Sequence, residues 1–301
     1  MQRVRRSCLS VPASSERFIS SAASVAADEV FLDLEDSVAS GAKASARSLA
    51  VTALDSADWG DRTVGVRING ASSRWAFADV LAVTIPRLDV IVLPKVVSPR
   101  DVVWLDVLLG QLEADRGLPP GRIGIEAQIE DAAGLAAVDA IAASSPRLEA
   151  LVFGPADFMA SLGMRTLEVG EQPPGYTGDA YHYPLLRILV AARAHGLHAV
   201  DGPFLRVRDL DGFRRAANSA AALGYDGKWV LHPSQVQVAN EVFAPTDAEL
   251  TRATQILDTY RRATTEDLRG AVMLGDEMID EASRKMAEAV IARARAAARP
   301  E

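Results

Sequence analysis

Eight short apolar runs recur along the chain, each bounded by turn-forming or charged positions: Ser7–Val11, Val30–Leu34, Val64–Ile68, Val90–Leu93, Ile123–Ile129, Leu151–Phe153, His198–Val200 and Trp229–Leu231. They are too apolar to alternate as a half-wetted strand would, which predicts strands covered on both faces. Between them lie alanine-rich segments with helical spacing, over Glu16–Ala27, Ala42–Ala53, Arg74–Ile85, Pro99–Asp115, Ala132–Ser144, Leu185–His195 and Asp209–Leu223. Strand and helix in alternation call for parallel pairing through right-handed crossovers. Eight such units predict a closed (β/α)8 TIM barrel, whereas a doubly wound open sheet typically uses fewer strands.

Beyond the eighth run the pattern changes. Asp247–Arg262 predicts one helix, capped by Thr246 or Asp247, with Leu250, Ile256 and Leu257 on its apolar face. Gly270 and Gly275 punctuate a hairpin-like stretch, RGAVMLGDEMID, before a final helix over Glu281–Ala297. The expected organisation is a barrel domain over 1–245 and a C-terminal helical arm over 246–301.

Composition then narrows the class. The 301 residues, 49% apolar and 24% charged, are those of a globular chain long enough for two domains or one large barrel. A net charge of -8 argues against nucleic acid or a membrane surface as partner. Cys8 stands alone, so no intrachain disulfide forms. No apolar stretch approaches the length of a membrane span. The basic N-terminus has no apolar region after it to make a secretory signal. A soluble cytoplasmic protein is the expectation.

In this architecture the carboxyl ends of the strands build the active site. Those ends carry Asp33, Glu35 and Asp36 after the second run, Arg67 and Asn69 after the third, and Lys95 after the fourth. Glu126, Gln128, Glu130 and Asp131 accompany the fifth run, Asp157 follows the sixth, Asp201 the seventh and His232 the eighth. Two readings of Glu130 and Asp157 stand open. Either they converge on a hard divalent cation, for which Mg2+ with one or two carboxylates is the usual solution, or they cap the helices that follow. Arg67, a cation at the end of an apolar strand, either meets a substrate anion or pairs with Asp33 or Glu35. The acids at 33, 35 and 36 either support metal-bound water, Lys95 or Arg67, or form a plain acidic loop. Lys95 is read as an ion-pair partner of those acids in preference to a Schiff-base nucleophile. His232 either positions a ligand or leaves Ser234 to cap the next helix. No dinucleotide, P-loop, zinc or nucleophile-elbow motif is present.

Taken in order, FLDLEDSV, VRIN, VLPKV, IEAQIEDAAG, FGPADFMASLG and GKWVLHPSQV resemble the HpcH/HpaI aldolase and citrate lyase β-subunit-like superfamily. The likeness spans essentially the whole chain, and YTGDAYHYPLLRILVAARAHGLHAVDGPFLRVRDLDGFRRAA resembles its malyl-CoA/β-methylmalyl-CoA lyase branch. The resemblance implies a Mg2+-dependent lyase, with Mn2+ as a substitute, acting on a CoA thioester of a hydroxy acid. By motif, Glu130 and Asp157 would hold the metal and Arg67 the thioester or enolate oxygen. Asp280 of MID would be the acid/base, lent to a neighbouring subunit of a homo-oligomer (a trimer or hexamer). Arg17 and Lys43 would lie near the CoA phosphates. The rivals are a (3S)-malyl-CoA thioesterase, a citramalyl-CoA lyase or citrate lyase β-subunit-like activity, and a non-catalytic CoA-ester-binding protein.

Overall fold

The structure, a computed structural model, describes residues 3–266 and 268–298. Eight parallel strands close in chain order: β1 (Ser7–Pro12), β2 (Glu29–Asp33), β3 (Thr63–Arg67), β4 (Val90–Leu93), β5 (Gly124–Ile129), β6 (Leu148–Phe153), β7 (His198–Asp201) and β8 (Gly227–Val230). β8 pairs back onto β1, with Cys8 opposite Trp229, so the sheet has no edge to protect. The chain is the predicted (β/α)8 barrel.

Side chains alternate across each strand, which decides what faces the barrel axis. Cys8, Phe31, Val92, Ala150, Val152, Val200 and Trp229 form their own buried cluster, the interior filling. Their strand neighbours, such as Leu9, Val30, Leu32, Ile91 and Leu151, join the larger core beneath the helices. Two residues beyond Phe31 the same inward face carries Asp33, which is in register with Arg67. Along β5 the inward series Glu126, Gln128 and Glu130 climbs to the carboxyl end.

The helices of the barrel unit are α1 (Glu16–Ala22), α2 (Lys43–Ser56), α3 (Ala76–Val83), α4 (Pro99–Asp115), α5 (Ala132–Ala136), α6 (Val138–Ala142), α7 (Pro155–Ser161), α8 (His182–Ala194), α9 (Leu210–Leu223) and α10 (Pro233–Val242). Three departures from expectation stand out. The helix predicted from Glu16 ends at Ala22, where Ser24 bonds back to the Ser21 carbonyl at 2.8 Å in a turn. The single helix predicted over Ala132–Ser144 is two short ones flanking Ala137. α7 and α10 lie in stretches for which no helix range is predicted, and both open with proline at the first helical position.

The chain divides into two compact units. One is the barrel, Arg5–Phe243, and the other is the chain from Ala244 onward with the few residues before Arg5. The second unit holds α11 (Asp247–Thr265), a two-stranded antiparallel hairpin of β9 (Val272–Leu274) and β10 (Glu277–Ile279), and α12 (Glu281–Ala297). Thr246 and Glu249 close α11 with a reciprocal capping box. No helix among the described residues is long and apolar enough to cross a membrane.

Candidate active site

Glu130 leaves β5 pointing inward and is almost wholly buried. Its Oε1 accepts the Lys95 amide N–H at 2.7 Å and its Oε2 accepts the Gln128 side-chain amide at 2.5 Å. Asp157 stands in the first turn of α7, on the strand next door, half-buried. Burial, and after it the negative charge of Asp157, push the Glu130 carboxyl up to about 8 against the partial relief of the Lys95 amide and Arg67. The neighbouring acid Asp131 behaves differently: it caps α5 by accepting the Ala133 amide at 2.7 Å. The capping alternative therefore holds for Asp131 and fails for Glu130.

Arg67 ends β3 on the same inward side. Its Nε and Nη2 donate to the two oxygens of Asp33 at 2.7 Å each, and Nη1 lies 3.4 Å from Glu35. The guanidinium carbon sits 5.2 Å over the ring of Trp229, which itself packs 4.6 Å from Phe31. A bidentate fork on one edge and an aromatic floor below leave the guanidinium little freedom. Burial raises Asp33, but the charge and hydrogen bonds of Arg67, helped by Ser37 and the Glu35 amide, outweigh it and hold the carboxyl below its ordinary value. Arg67 thus makes the anticipated structural pair, and the pair aims it: burial works against its charge, yet Asp33, Glu35 and Glu130 together raise its affinity for the proton.

Lys95 bonds Glu35 Oε1 at 2.5 Å and lies 3.2 Å from both oxygens of Asp36, the ion pair expected for it. Asp33 and Glu35 are buried and Asp36 is exposed. Lys95 adopts φ 54°, left-handed for a residue that carries a Cβ, a conformation that costs roughly 1–2 kcal/mol.

The remaining expected residues have the following surroundings. Lys43, read as a phosphate contact, is buried: its ammonium donates to the carbonyls of Leu34 and Glu35 at 2.8 and 2.6 Å and lies 5.4 Å over the Trp75 ring. An ammonium so placed ties the β2 loop to α2, which corrects the expectation for this residue. Arg17 is exposed on α1, with its guanidinium 5.0 Å over Phe18. Asp280 belongs to the C-terminal unit, where it caps α12 through the amides of Ala282 and Ser283 at 2.9 and 3.2 Å. His232, rather than Ser234, caps α10. Asn69 is tied to Asp79 and the Leu34 carbonyl.

Three residues take part here in ways that the sequence analysis assigns to none of them. Gln128 braces Glu130, and its own side-chain oxygen is buried without a hydrogen-bond partner among the described residues. Trp229 floors Arg67. Gly154 lets β6 close on β5, because a Cβ there would overlap Glu130 and come within 2.8 Å of the Gln128 amide nitrogen. The period-two spacing Gln128–Glu130 was the available signal for the first.

Among the described residues no three His, Cys, Asp or Glu side chains converge to cage a metal ion. Two carboxylates, one at the end of β5 and one in the first turn of the helix after β6, with the first buried at the expense of its charge, fit a hard divalent cation that takes its other ligands from substrate and water. A softer metal would call for histidine or thiolate donors, which the site lacks.

A closed parallel barrel with acids and an arginine at its carboxyl mouth defines an α/β-barrel protein with its candidate site at the carboxyl ends of the strands. The model of the HpcH/HpaI aldolase/citrate lyase family matches residues 6–233, and the chain belongs to that family. It is 40% identical to an L-malyl-CoA/β-methylmalyl-CoA lyase of Rhodobacter capsulatus, over 97% of this chain and 95% of that one. A (3S)-malyl-CoA thioesterase of Cereibacter sphaeroides is 37% identical over 90% of this chain and 88% of its own. Among solved structures, a citrate lyase of Burkholderia xenovorans superposes with TM-score 0.85 at 26% identity, covering 99% and 94% of the two chains. The CitE protein of Mycobacterium tuberculosis, in complex with magnesium, acetoacetate and coenzyme A, gives 0.76 at 29% identity, covering 96% and 97%.

Proposed function

We propose that this chain is a Mg2+-dependent carbon–carbon lyase. It cleaves, or in reverse forms, a 3-hydroxyacyl-CoA such as malyl-CoA or β-methylmalyl-CoA, giving acetyl- or propionyl-CoA and glyoxylate. One observation carries the reading: a buried carboxylate, Glu130, is held beside Asp157 at the cost of its charge and within the field of Arg67. The names of the relatives at 40 and 37% identity support the CoA-ester substrate.

Glu130 and Asp157 are the residues that would hold the ion. Bound there, Mg2+ supplies Lewis acidity toward the hydroxyl and carboxylate of the hydroxy acid. In the cleavage the hydroxyl gives up its proton to solvent as its oxygen becomes the glyoxylate carbonyl. The bond between the hydroxyl-bearing carbon and the carbon next to the thioester breaks, and that bond's electron pair passes to the thioester oxygen as an enolate. Arg67, locked by Asp33 and Trp229, presents its remaining N–H groups to that oxygen, a contribution of about 3 kcal/mol for one preorganised donor. We assign to Asp280 of a neighbouring subunit the delivery of a proton to the enolate carbon, and its removal in the condensing direction. That assignment makes the protein a homo-oligomer, a trimer or hexamer, and we place it in the cytoplasm, where Cys8 stays reduced.

The test is a coupled assay of the purified protein with each candidate CoA ester, with and without Mg2+. Metal-dependent glyoxylate is the expected product. Malate and CoA without glyoxylate would replace the reading with a second one, thioester hydrolysis, which the thioesterase relative favours. No turnover of any ester would leave a CoA-ester-binding protein.

A further inference from the structure

We propose that Lys95 is a positioning residue with two separable tasks: its backbone amide fixes Glu130, and its ammonium braces Glu35 against Arg67. The inference deepens the lyase reading and rests on it for the role of Glu130. Three observations meet at this residue. Lys95 holds φ 54° in the left-handed region although it is not glycine, and Leu268 is the only other such residue among those described. Its N–H donates to Glu130 Oε1 at 2.7 Å, the one backbone hydrogen bond that this carboxylate receives among the described residues. Its ammonium reaches across to the loop after β2, 2.5 Å from Glu35 Oε1, while the other oxygen of Glu35 faces Arg67 Nη1 at 3.4 Å.

The left-handed turn is what lets one residue do both. β4 ends at Leu93, and the next amide but one must point toward the barrel axis to meet Glu130. With φ positive, the Cα then throws its side chain sideways over the β2 and β3 ends rather than back along β4. A strained conformation persists where the surroundings over-determine it. Here they do so from both ends of the residue: the amide is held by Glu130, the ammonium by Glu35 and Asp36, and the following residue, Val96, donates its amide to the Gln128 carbonyl at 3.3 Å. The metal side of the site (Glu130) and the enolate side (Arg67, through Glu35) are thereby tied to one Cα.

The two tasks come apart by choice of substitution. Lys95→Gly removes the ammonium and accepts the left-handed backbone without strain. Lys95→Val removes the same ammonium but is driven out of that backbone region, and Lys95→Ala is the milder form of the same change if Lys95→Val fails to fold. Lys95→Arg restores a cation. Affinity for Mn2+ alone is measured by calorimetry on each purified full-length variant, beside kcat, KM and thermal melting. For Lys95→Gly, Mn2+ affinity within about two-fold of wild type is expected, together with a kcat lowered roughly ten-fold at little change in KM. For Lys95→Val or Lys95→Ala, Mn2+ affinity should fall further, by about ten-fold or more, as when groups supporting a metal ligand are lost. Lys95→Arg should recover most of kcat. Equal Mn2+ affinity in the glycine and valine or alanine variants would overturn the amide's role, and wild-type kcat in Lys95→Gly would overturn the ammonium's. Glu130→Gln is the control for the underlying reading. If it binds Mn2+ like wild type, the metal assignment falls and the amide task with it, while the ammonium task is still judged on kcat.

Discussion

At Glu130 a buried carboxyl faces a second acid, Asp157, and only a proton or a cation makes that arrangement stable. With its value near 8 in the metal-free protein, set first by burial and then by Asp157, Glu130 is mostly protonated at neutral pH. The ion must displace that proton, so metal affinity should fall roughly ten-fold for each pH unit below about 8 and level off above it, with one proton released per ion. Mn2+ titrations between pH 6.5 and 9 would show it, and an affinity independent of pH would contradict the arrangement. Asp157→Ala should abolish metal-dependent turnover yet leave the melting temperature close to wild type, because a half-buried first-turn side chain contributes little packing. Loss of folding in that variant would point to a structural role instead. Both acids were legible in the sequence because each follows an apolar run, Glu130 directly and Asp157 after Gly154, Pro155 and Ala156, in an architecture whose strand ends carry the chemistry. Which of the adjacent acids Glu130 and Asp131 turns inward was not, since the choice depends on strand pleat at one position. The expectation for Lys43 came from the resemblance alone, and local pattern could not show its surroundings, because Trp75, whose ring it lies over, is 32 residues away in the chain.

The strands were readable as a set because a barrel buried on both faces leaves continuous apolar runs, and all eight runs became strands in order. Their ends shifted where a polar residue continues the ladder. Glu29 opens β2 and Asp201 closes β7, both charged and buried, so composition alone cut those runs short. α7 and α10 begin directly after β6 and β8 with almost no loop, each with a proline at its first helical position. Proline at a first helical position gives up only an amide that no carbonyl in the helix would accept, and its fixed φ suits the first turn. This abrupt strand-to-helix step sets Asp157 four residues beyond the strand. Gly154 is the hinge of that step, and Gly154→Ala should push Glu130 off its two donors. The expected cost is about 1–3 kcal/mol in stability, as for overpacking elsewhere, with weakened Mn2+ binding. Melting curves and calorimetry on the alanine variant would measure both, and wild-type values in each would mean that β6 relaxes around the added methyl.

A closed barrel has two ends, and the one opposite the active site carries its own charge problem. Arg5, just before β1, enters the axis and meets Glu126 at 2.5 Å, Glu149 at 2.6 Å and Glu29 at 3.4 Å. Arg5, Glu29 and Glu126 are essentially inaccessible to solvent. One guanidinium cannot neutralise three carboxylates, and the two oxygens of Glu29 find no hydrogen-bond donor among the described residues. Burial first, and then the charge of Glu126, hold the Glu29 carboxyl well above its ordinary value despite Arg5. A carboxyl raised on folding binds its proton more tightly in the folded chain than in the unfolded one. Its favourable contribution is therefore complete below the ordinary value near 4.5 and is lost as the pH climbs toward the folded value. The barrel should lose stability as the pH rises from about 5 toward the alkaline range, and Glu29→Gln, which keeps the shape and removes the titration, should flatten that slope. Arg5→Met should cost on the order of 3–5 kcal/mol, since it strands buried carboxylates without their cation, and adding Glu29→Gln should return part of the loss. Denaturant unfolding of the wild type and these three variants across that pH range, with metal withheld so that the active-site acids contribute equally, would measure each term. A slope unchanged by Glu29→Gln would show that the floor of the barrel stays ionised and that Arg5 suffices.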